Sequence, residues 1–206
     1  MSPALSATGP CLLCWCYCFS GCNGLPRIEL PDSVTELGEG AFSKCEGLEG
    51  VRLSAGLASI AERMFEWCDK LEKITIPDRI SCIGDFVFIA NRNLRSVVFP
   101  EALLELGGYV FDACPSLQSI TLPGSTQKIG DGAFYKCSSL TSIIIPASVT
   151  YVGPWTFDEC TVLSLVIYEG CDGQTRSEIQ NCASLEKVMV YQCYPELTFC
   201  GKPVQR

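Results

Sequence analysis

The chain has no histidine among its 206 residues. Histidine is the commonest general acid or base near neutral pH and a frequent zinc ligand, so its absence removes the usual catalytic triads and most catalytic zinc sites. A phosphate-cradling glycine loop and a G-x-S-x-G nucleophile elbow are also missing. The sequence therefore predicts a protein that is not an enzyme and that uses no cofactor and no metal.

Positive charge is scarce. The chain has 15 Lys and Arg against 23 Asp and Glu, a formal net charge of -8 and a pI of about 4.6. Nucleic-acid binding depends on basic side chains that neutralise phosphates, and this balance would instead repel a polyanion. We expect no nucleic-acid partner.

Long apolar runs are lacking as well. The longest run, from Cys11 to Phe19, has nine residues, whereas a membrane-spanning helix needs about 20. The sequence predicts no transmembrane helix.

What the chain does have is a repeat. Leucines recur every 23 residues and once after 22, an aromatic or aliphatic residue stands six places before each leucine, and a cysteine stands three places before most of them. The leucines are Leu48, Leu71, Leu94, Leu117, Leu140, Leu163 and Leu185, and the residues six places earlier are Phe42, Phe65, Phe88, Phe111, Phe134, Phe157 and Ile179. A fixed period of this length indicates a solenoid of stacked coils.

Each unit reads as a short strand followed by a turn. Leu117, Ile120 and Leu122 alternate with polar residues, and this period of two is typical of a strand with one buried face. A proline ends the strand, since it cannot donate to a ladder. A glycine then permits a turn, and the phenylalanine points into the core.

The consensus L-x-x-I-x-L-P-x-x-V-x-x-I-G-x-x-A-F-x-x-C-x-x-L resembles the BspA-like, or Treponema-type, leucine-rich repeat family, over about residues 25 to 190. The match includes the strand-ending prolines Pro31, Pro77, Pro100, Pro123 and Pro146 and the turn glycines Gly38, Gly84, Gly107, Gly130 and Gly153. The resemblance implies an α/β repeat solenoid, a horseshoe or slab with a parallel concave β-sheet and short helical or irregular convex segments. It also implies adhesion to host or matrix proteins.

The expected organisation is a solenoid of about seven repeats over residues 25–190, with a cap or targeting segment at 1–24 and a tail or cap at 191–206. Segment 1–24 holds five cysteines and no charged residue. A degenerate first repeat or cap is the preferred interpretation, because the end coils of solenoids need covering. A signal peptide, a palmitoylated lipid anchor and a zinc site made by Cys14, Cys16, Cys18 and Cys22 are alternatives.

Six of the 15 cysteines keep the repeat phase: Cys45, Cys68, Cys114, Cys137, Cys160 and Cys182. We interpret this column as packing, in which a small apolar side chain fills space and its S–H donates weakly to a carbonyl. An odd total leaves at least one thiol free in a monomer. Location in the cytoplasm, at the cell surface or outside the cell stays open.

The candidate binding residues are the outward positions of the concave sheet: Arg52, Lys73, Thr75, Ser96, Val98, Ser119, Thr121, Ser142, Ile144, Leu165 and Ile167. They are charged at the start of the array, hydroxyl-rich in the middle and apolar near the end. An exposed apolar patch often marks a protein interface. The irregular seventh unit slightly favours the alternative that the register slips there, so that these apolar residues are partly core or covered by the C-terminal segment.

The predicted function is therefore non-catalytic binding of a protein partner of unknown identity through the concave sheet, in the form of surface adhesion. The alternative is an intracellular scaffold, or a fragment of a larger repeat protein, without an adhesive role. The stacking also predicts that Phe111→Ala or Phe134→Ala costs about 3 to 5 kcal/mol, and that Phe42→Ala, nearer an end, costs less.

Overall fold

A computed structural model of the chain describes residues 16–170, 187–190, 198–199 and 202–205. The predicted repeat residues Ile179, Cys182 and Leu185, the cysteines Cys11, Cys14, Cys171, Cys193 and Cys200, and most of the predicted tail lie outside these ranges. Every regular element in the described part is a β-strand. The chain winds as a parallel β-solenoid in which residues 23 apart lie side by side on neighbouring coils.

Thirteen short strands are described. They are β1 (Arg27–Glu29), β2 (Gly50–Arg52), β3 (Lys73–Thr75), β4 (Cys82–Ile83), β5 (Ser96–Val98), β6 (Glu105–Leu106), β7 (Lys128–Ile129), β8 (Ser142–Ile145), β9 (Tyr151–Val152), β10 (Leu165–Tyr168), β11 (Lys187–Val190), β12 (Thr198–Phe199) and β13 (Lys202–Gln205).

The predicted sheet forms one side of the solenoid. Parallel pairs join β1 to β2, β3 to β5, β8 to β10, and β10 to β11, and a single bridge joins Thr121 to Ile144. At the far edge β13 pairs in parallel with β11 and antiparallel with β12. The repeat solenoid with a parallel sheet, expected from the sequence, is confirmed.

A second parallel sheet, which we did not predict, runs along another side in the order β4, β6, β7, β9. Each strand is two residues long, with an exposed first residue and a buried second one, as in Lys128 and Ile129. Two residues per coil are too few to show a period of two in the sequence.

The third side consists of turns, and the described chain forms no α-helix there. Two positions in each turn have positive φ, as at Tyr109 (52°) and Ala113 (54°). The N–H groups of Tyr109, Phe111 and Ala113 donate to carbonyls of the next coil at 2.7–3.0 Å. A helix would direct those N–H groups to carbonyls four residues back in its own segment. Of the two forms expected for this side, the irregular one is found.

The phenylalanines form a continuous stack through the core. Rings from Phe19 through Phe42 to Phe157 lie 5.2–5.8 Å apart between centroids and within 8° of parallel. From Phe42 onward they are buried, whereas Phe19 is partly exposed. Residues 16–25 thus follow the path of a coil, with Phe19 and Cys22 in the phase of Phe42 and Cys45.

The column cysteines also pack as expected. The thiols of Cys45, Cys68, Cys114, Cys137 and Cys160 each lie 3.0–3.2 Å from the carbonyl oxygen of a phenylalanine on the preceding coil. Asn91 takes the place of cysteine in one coil. Its Oδ1 accepts the Cys68 N–H at 2.6 Å, and its buried Nδ2 has no hydrogen-bond partner. The amide therefore replaces the thiol at the cost of one unsatisfied donor.

The turn glycines, which repeat every 23 residues and form a column in the structure, are required for a reason other than the one expected. Gly107 and Gly130 do not have positive φ, so they supply no left-handed turn. A Cβ at Gly107 would lie 2.4 Å from the backbone of Gly84, and one at Gly130 would lie 2.5 Å from the backbone of Gly107. Glycine is needed because the backbones of neighbouring coils nearly touch at this column.

Position in the stack determines the cost of truncating a ring. Phe42 has a ring on both sides, so the expectation of a milder Phe42→Ala no longer holds. We expect Phe42→Ala and Phe111→Ala each to cost about 3 to 5 kcal/mol. Phe19→Ala, with one ring neighbour and partial exposure, should cost about half as much. Urea unfolding measures the difference, and equal costs at all three positions would contradict nearest-neighbour stacking.

Crowding at the glycine column gives a second prediction. Gly107→Ala should cost about 1 to 3 kcal/mol or more, because the backbone of the neighbouring coil must move. Gly124→Ala is the control, since its φ is not positive and a methyl group at this position would have no other atom within 4 Å. Thermal unfolding of both variants provides the measurement. A Gly107→Ala variant as stable as the control would show that the coils tolerate a wider separation.

Candidate binding site

The predicted binding residues lie in two parallel rows across the first sheet. Register pairs place Thr75 beside Val98, Thr121 beside Ile144, and Ile144 beside Ile167. The other row contains Lys73, Ser96, Ser119, Ser142 and Leu165. We call this surface the sheet face.

Exposure follows the predicted alternation. Nine of the eleven residues are exposed, and Leu165 and Ile167 are partly exposed. The residues between them, such as Ile74, Val97 and Ile143, are buried. The structure therefore brings all eleven to one surface, although contact with a partner remains a prediction.

At its charged end the sheet face is held in place by local contacts. The Arg52 guanidinium lies 3.2 Å from the Asp32 carboxylate and donates to the Leu30 carbonyl at 3.1 Å. A hydrogen bond from the Ala55 N–H, aided by the Arg52 charge, holds the pKa of the Asp32 carboxyl below its usual value. Arg52 is thus already engaged, whereas Lys73 has no ion pair within the described ranges.

The apolar end keeps its register. Leu165 pairs with Ser142, and Ile167 lies between Ile144 and Met189. The slip that the irregular seventh unit slightly favoured does not occur in β10 or β11. Val98, Ile144 and Met189 are 56%, 50% and 43% exposed. Ile144, Ile167 and Met189 therefore form an apolar row in contact with solvent, and Val98 is a separate exposed apolar residue on the far side of Thr121.

A second exposed surface lies beside the unpredicted second sheet, and we call it the acidic groove. It has a volume of about 900 Å³ and is bordered by Glu62, Asp85, Glu105, Asp131, Lys128 and Tyr151, among others. Its floor includes the close-packed glycine column. The only signal for it in the sequence was the acidic residue after many of the turn glycines, as in Gly84-Asp85 and Gly130-Asp131.

The described cysteines fall into two groups. Those of the column are buried, and burial raises the pKa of the Cys68 and Cys114 thiols well above the usual range. Cys16, Cys18 and Cys82 are exposed, and Cys22, on the first described coil, is partly exposed. Since thiolates are the reactive form, the column thiols are inert in the folded state and the exposed ones are accessible.

Neither a metal site nor a membrane span is found within the described residues. They contain no group of three or more His, Cys, Asp or Glu side chains that could hold a metal ion. Among the same residues there is no helix long and apolar enough to cross a bilayer.

Comparison with known proteins agrees with the repeat and the fold. The sequence matches the family of the BspA type leucine rich repeat region, in six copies, over residues 15–118 and 104–197. The chain therefore belongs to the BspA-type leucine-rich repeat family, whose repeats are generally non-catalytic. A search of the curated proteins found no match.

Solved structures of bacterial leucine-rich repeat proteins are similar. One from Treponema pallidum is 28% identical, with a TM-score of 0.72 and 78% of each chain covered. One from Bacteroides ovatus is 25% identical, with a TM-score of 0.53, and 85% of this chain covers 57% of that one. A cell surface protein from Faecalibacterium prausnitzii is 21% identical, with a TM-score of 0.55 and coverage of 84% and 62%. This chain thus spans less than two thirds of the length of the last two.

Proposed function

We propose that this protein is a non-catalytic module that binds a protein partner through the sheet face. The observation that supports this proposal most directly is the apolar row of neighbouring residues Ile144, Ile167 and Met189, of which Ile144 and Met189 are exposed and Ile167 is partly exposed. Apolar side chains that nothing covers are in contact with water, and association with a partner would favourably remove that contact.

The shape of the face also favours a macromolecular partner. Strands on neighbouring coils lie about 4.8 Å apart, so the outward side chains form a regular array. The small pocket beside Ile144, lined also by Thr121, Pro146 and Glu169, has a volume of about 190 Å³. Such a pocket is below the usual range for a drug-sized ligand, but it suits one anchoring side chain of a larger partner.

The two ends of the face would contribute differently. The apolar row would supply affinity, since desolvated apolar contacts at the centre of an interface carry most of the binding energy. Arg52 and Lys73 are exposed and lie at the other end, where charges act mainly on association rate and orientation. A partner with an apolar patch beside acidic groups would complement both ends.

In its specific form the proposal is adhesion at a surface. The Faecalibacterium prausnitzii relative is described as a cell surface protein, and family membership supports a protein-binding role. An intracellular scaffold is the second candidate. It is favoured by the exposed cysteines Cys16, Cys18 and Cys82, which form no disulfide within the described residues, as is usual for a reducing compartment.

Paired substitutions on the sheet face test the binding proposal. Ile144→Asp with Ile167→Asp should weaken binding about tenfold or more, because it places charge in an apolar contact. Arg52→Glu with Lys73→Glu should slow association chiefly at low salt. Surface plasmon resonance against a panel of purified extracellular-matrix proteins provides the measurement.

Leu104→Asp with Val162→Asp is the matched control, since both residues are exposed (36% and 42%) and lie outside the sheet face. It adds the same charge and should leave binding within about twofold. Circular dichroism melts establish that each variant is folded. A bound matrix protein that neither sheet-face pair weakens would refute the face as the site, and a panel without any binder would contradict adhesion.

The redox state of the exposed cysteines separates the two candidates. Alkylation of protein taken from its own cells under acid trapping, followed by intact-mass measurement, should find Cys16, Cys18 and Cys82 labelled if the protein works as an intracellular scaffold. Oxidised exposed thiols together with a shortened amino terminus would favour adhesion. In either case the buried column should label only after denaturation, which serves as the internal control.

A further inference from the structure

The small pocket on the sheet face has a chemistry that selects its occupant. Its walls are mostly apolar and are formed by Ile120, Leu122, Ile144 and Pro146. Glu169 is the one charged residue among the described residues that line it. A side chain that fills the pocket must therefore suit an apolar wall and a carboxylate at the same time.

The Glu169 carboxylate is available to a partner. It has no ion pair with any residue that the structure describes. Its backbone is held in place, because the Glu169 N–H donates to the Ile145 carbonyl at 2.9 Å, and the residue is partly exposed. An apolar side chain that covered the pocket would leave this carboxylate desolvated and unpaired, which is costly.

The fold does not require a carboxylate at this position. Glu169 stands where the six preceding coils have their strand-ending residue, which is proline in five of them and Ser54 in the other. Those strands end without a charge. The N–H that Glu169 gives to the sheet would come from any residue other than proline, so the carboxylate itself is left for binding.

The pocket is open because Gly124 has no side chain. On the two preceding coils the same position carries Asp78 and Glu101, and a methyl group at Gly124 would have no other atom within 4 Å. The first sheet is also interrupted here, since the coil between β5 and β8 has only the bridge from Thr121 to Ile144. A side chain from a partner can therefore enter beside Gly124.

The length of the pocket selects a long side chain. Gly124 and Glu169 belong to coils that are two apart, a separation of about 10 Å at the usual spacing between strands. A side chain that enters beside Gly124 needs an extended apolar stem with a cationic end to meet the carboxylate. Lysine and arginine have this form, since both lay their methylene groups along apolar surface and keep the charged head at its edge.

Arginine suits the site better than lysine. Its guanidinium is planar and presents two parallel N–H donors that match both oxygens of a carboxylate. It is also less strongly hydrated than an ammonium group, which matters beside Ile144, where the head must lose water on one side. Arginine is among the residues that most often anchor protein interfaces.

Other kinds of ligand fit the lining residues less well. A metal ion needs several ligands, and the described residues contain no group of three or more His, Cys, Asp or Glu that could hold one. No aromatic ring is among the described residues of the pocket, so it offers no stacking surface to a planar ligand. Charge and shape together favour a single cationic side chain.

We propose that this pocket binds an arginine side chain of the protein partner, with the aliphatic stem over Ile144 and Pro146 and the guanidinium on Glu169. The inference rests on the proposed function, because it names the group that anchors a partner to the sheet face. The partner surface that covers Ile144 and Ile167 would then be an apolar patch that carries an arginine.

Three tripeptides test the pocket without a known partner. Acetyl-Leu-Arg-Leu-amide is added to the isotope-labelled intact protein at up to about 10 mM, and the amide signals of Thr121, Gly124 and Ile144 are followed by NMR. The citrulline peptide, similar in shape but uncharged, should bind about fivefold more weakly. The lysine peptide should bind about twofold or more weakly. Absence of shifts at the three residues, or equal affinity of the arginine peptide and either other peptide, would overturn the proposal.

Glu169→Gln tests the ion pair, since it keeps the size of the side chain and removes its charge. It should weaken the arginine peptide about fivefold and leave the citrulline peptide within about twofold, because only the charged peptide uses the carboxylate. The control Glu72→Gln removes the same charge at an exposed position that does not line the pocket, and it should change neither affinity. Equal weakening of both peptides by Glu169→Gln would refute the ion pair.

Gly124→Leu tests the entrance. The φ of Gly124 is not positive and the space beside it is open, so the variant should melt within a few degrees of the wild-type protein, at about the limit for surface substitutions. The added side chain should nevertheless abolish the peptide-induced shift at Ile144. A Gly124→Leu variant that binds the arginine peptide as tightly as the wild type would place the peptide elsewhere and refute the pocket.

The matrix-protein panel separates this inference from the proposed function. A matrix protein that Ile144→Asp with Ile167→Asp weakens and Glu169→Gln does not would support the sheet face and refute the arginine pocket. A bound arginine peptide together with a panel that contains no binder would support the pocket and contradict adhesion.

Discussion

Backbone hydrogen bonding between coils is the constraint on which the rest of the structure depends. Along the turns, N–H groups such as that of Phe111 donate to carbonyls of the following coil, while the two sheets pair residues in parallel at an offset of 23. Such pairing holds neighbouring coils about 4.8 Å apart. Residues 23 apart in the sequence therefore lie beside one another in the structure. The residue type that repeats at such a position must pack against copies of itself.

The three core columns follow from that spacing. Phenylalanine can stack on itself, and the rings lie 5.2–5.8 Å apart. Cysteine is small enough to fit beside the ring while its thiol reaches a carbonyl of the preceding coil. At Gly107 the backbones come so close that a methyl group would not fit. Asn91 shows the limit of substitution, since it fits but leaves one buried amide group unpaired.

The parts of the fold that the sequence predicts are those in which several residues per coil repeat a pattern. Alternation at Ile120, Thr121 and Leu122 predicted the first sheet and, with it, the placement of all eleven candidate residues on one surface. The second sheet was missed because two residues carry no visible period. The turns were ambiguous because positive φ falls on Arg63, Trp67 and Lys136 as well as on Gly132, so the glycine that usually marks such positions is absent from most of them. The groove had only a weak signal in the sequence, the acidic residue after several turn glycines, because its position depends on which columns border the unpredicted second sheet.

Separation of core and surface columns explains how one scaffold can hold two surfaces of unlike chemistry. Ile143 and Ile145 are buried while Ile144, between them, is half exposed, so the outward residue can change without disturbing the core. The same holds on the second sheet, where Lys128 is exposed beside buried Ile129. The sheet face and the acidic groove lie on different sheets, so a substitution on one surface has little energetic effect on the other. Stability resides in the inward columns, which leaves the residue types of the outward columns free to vary.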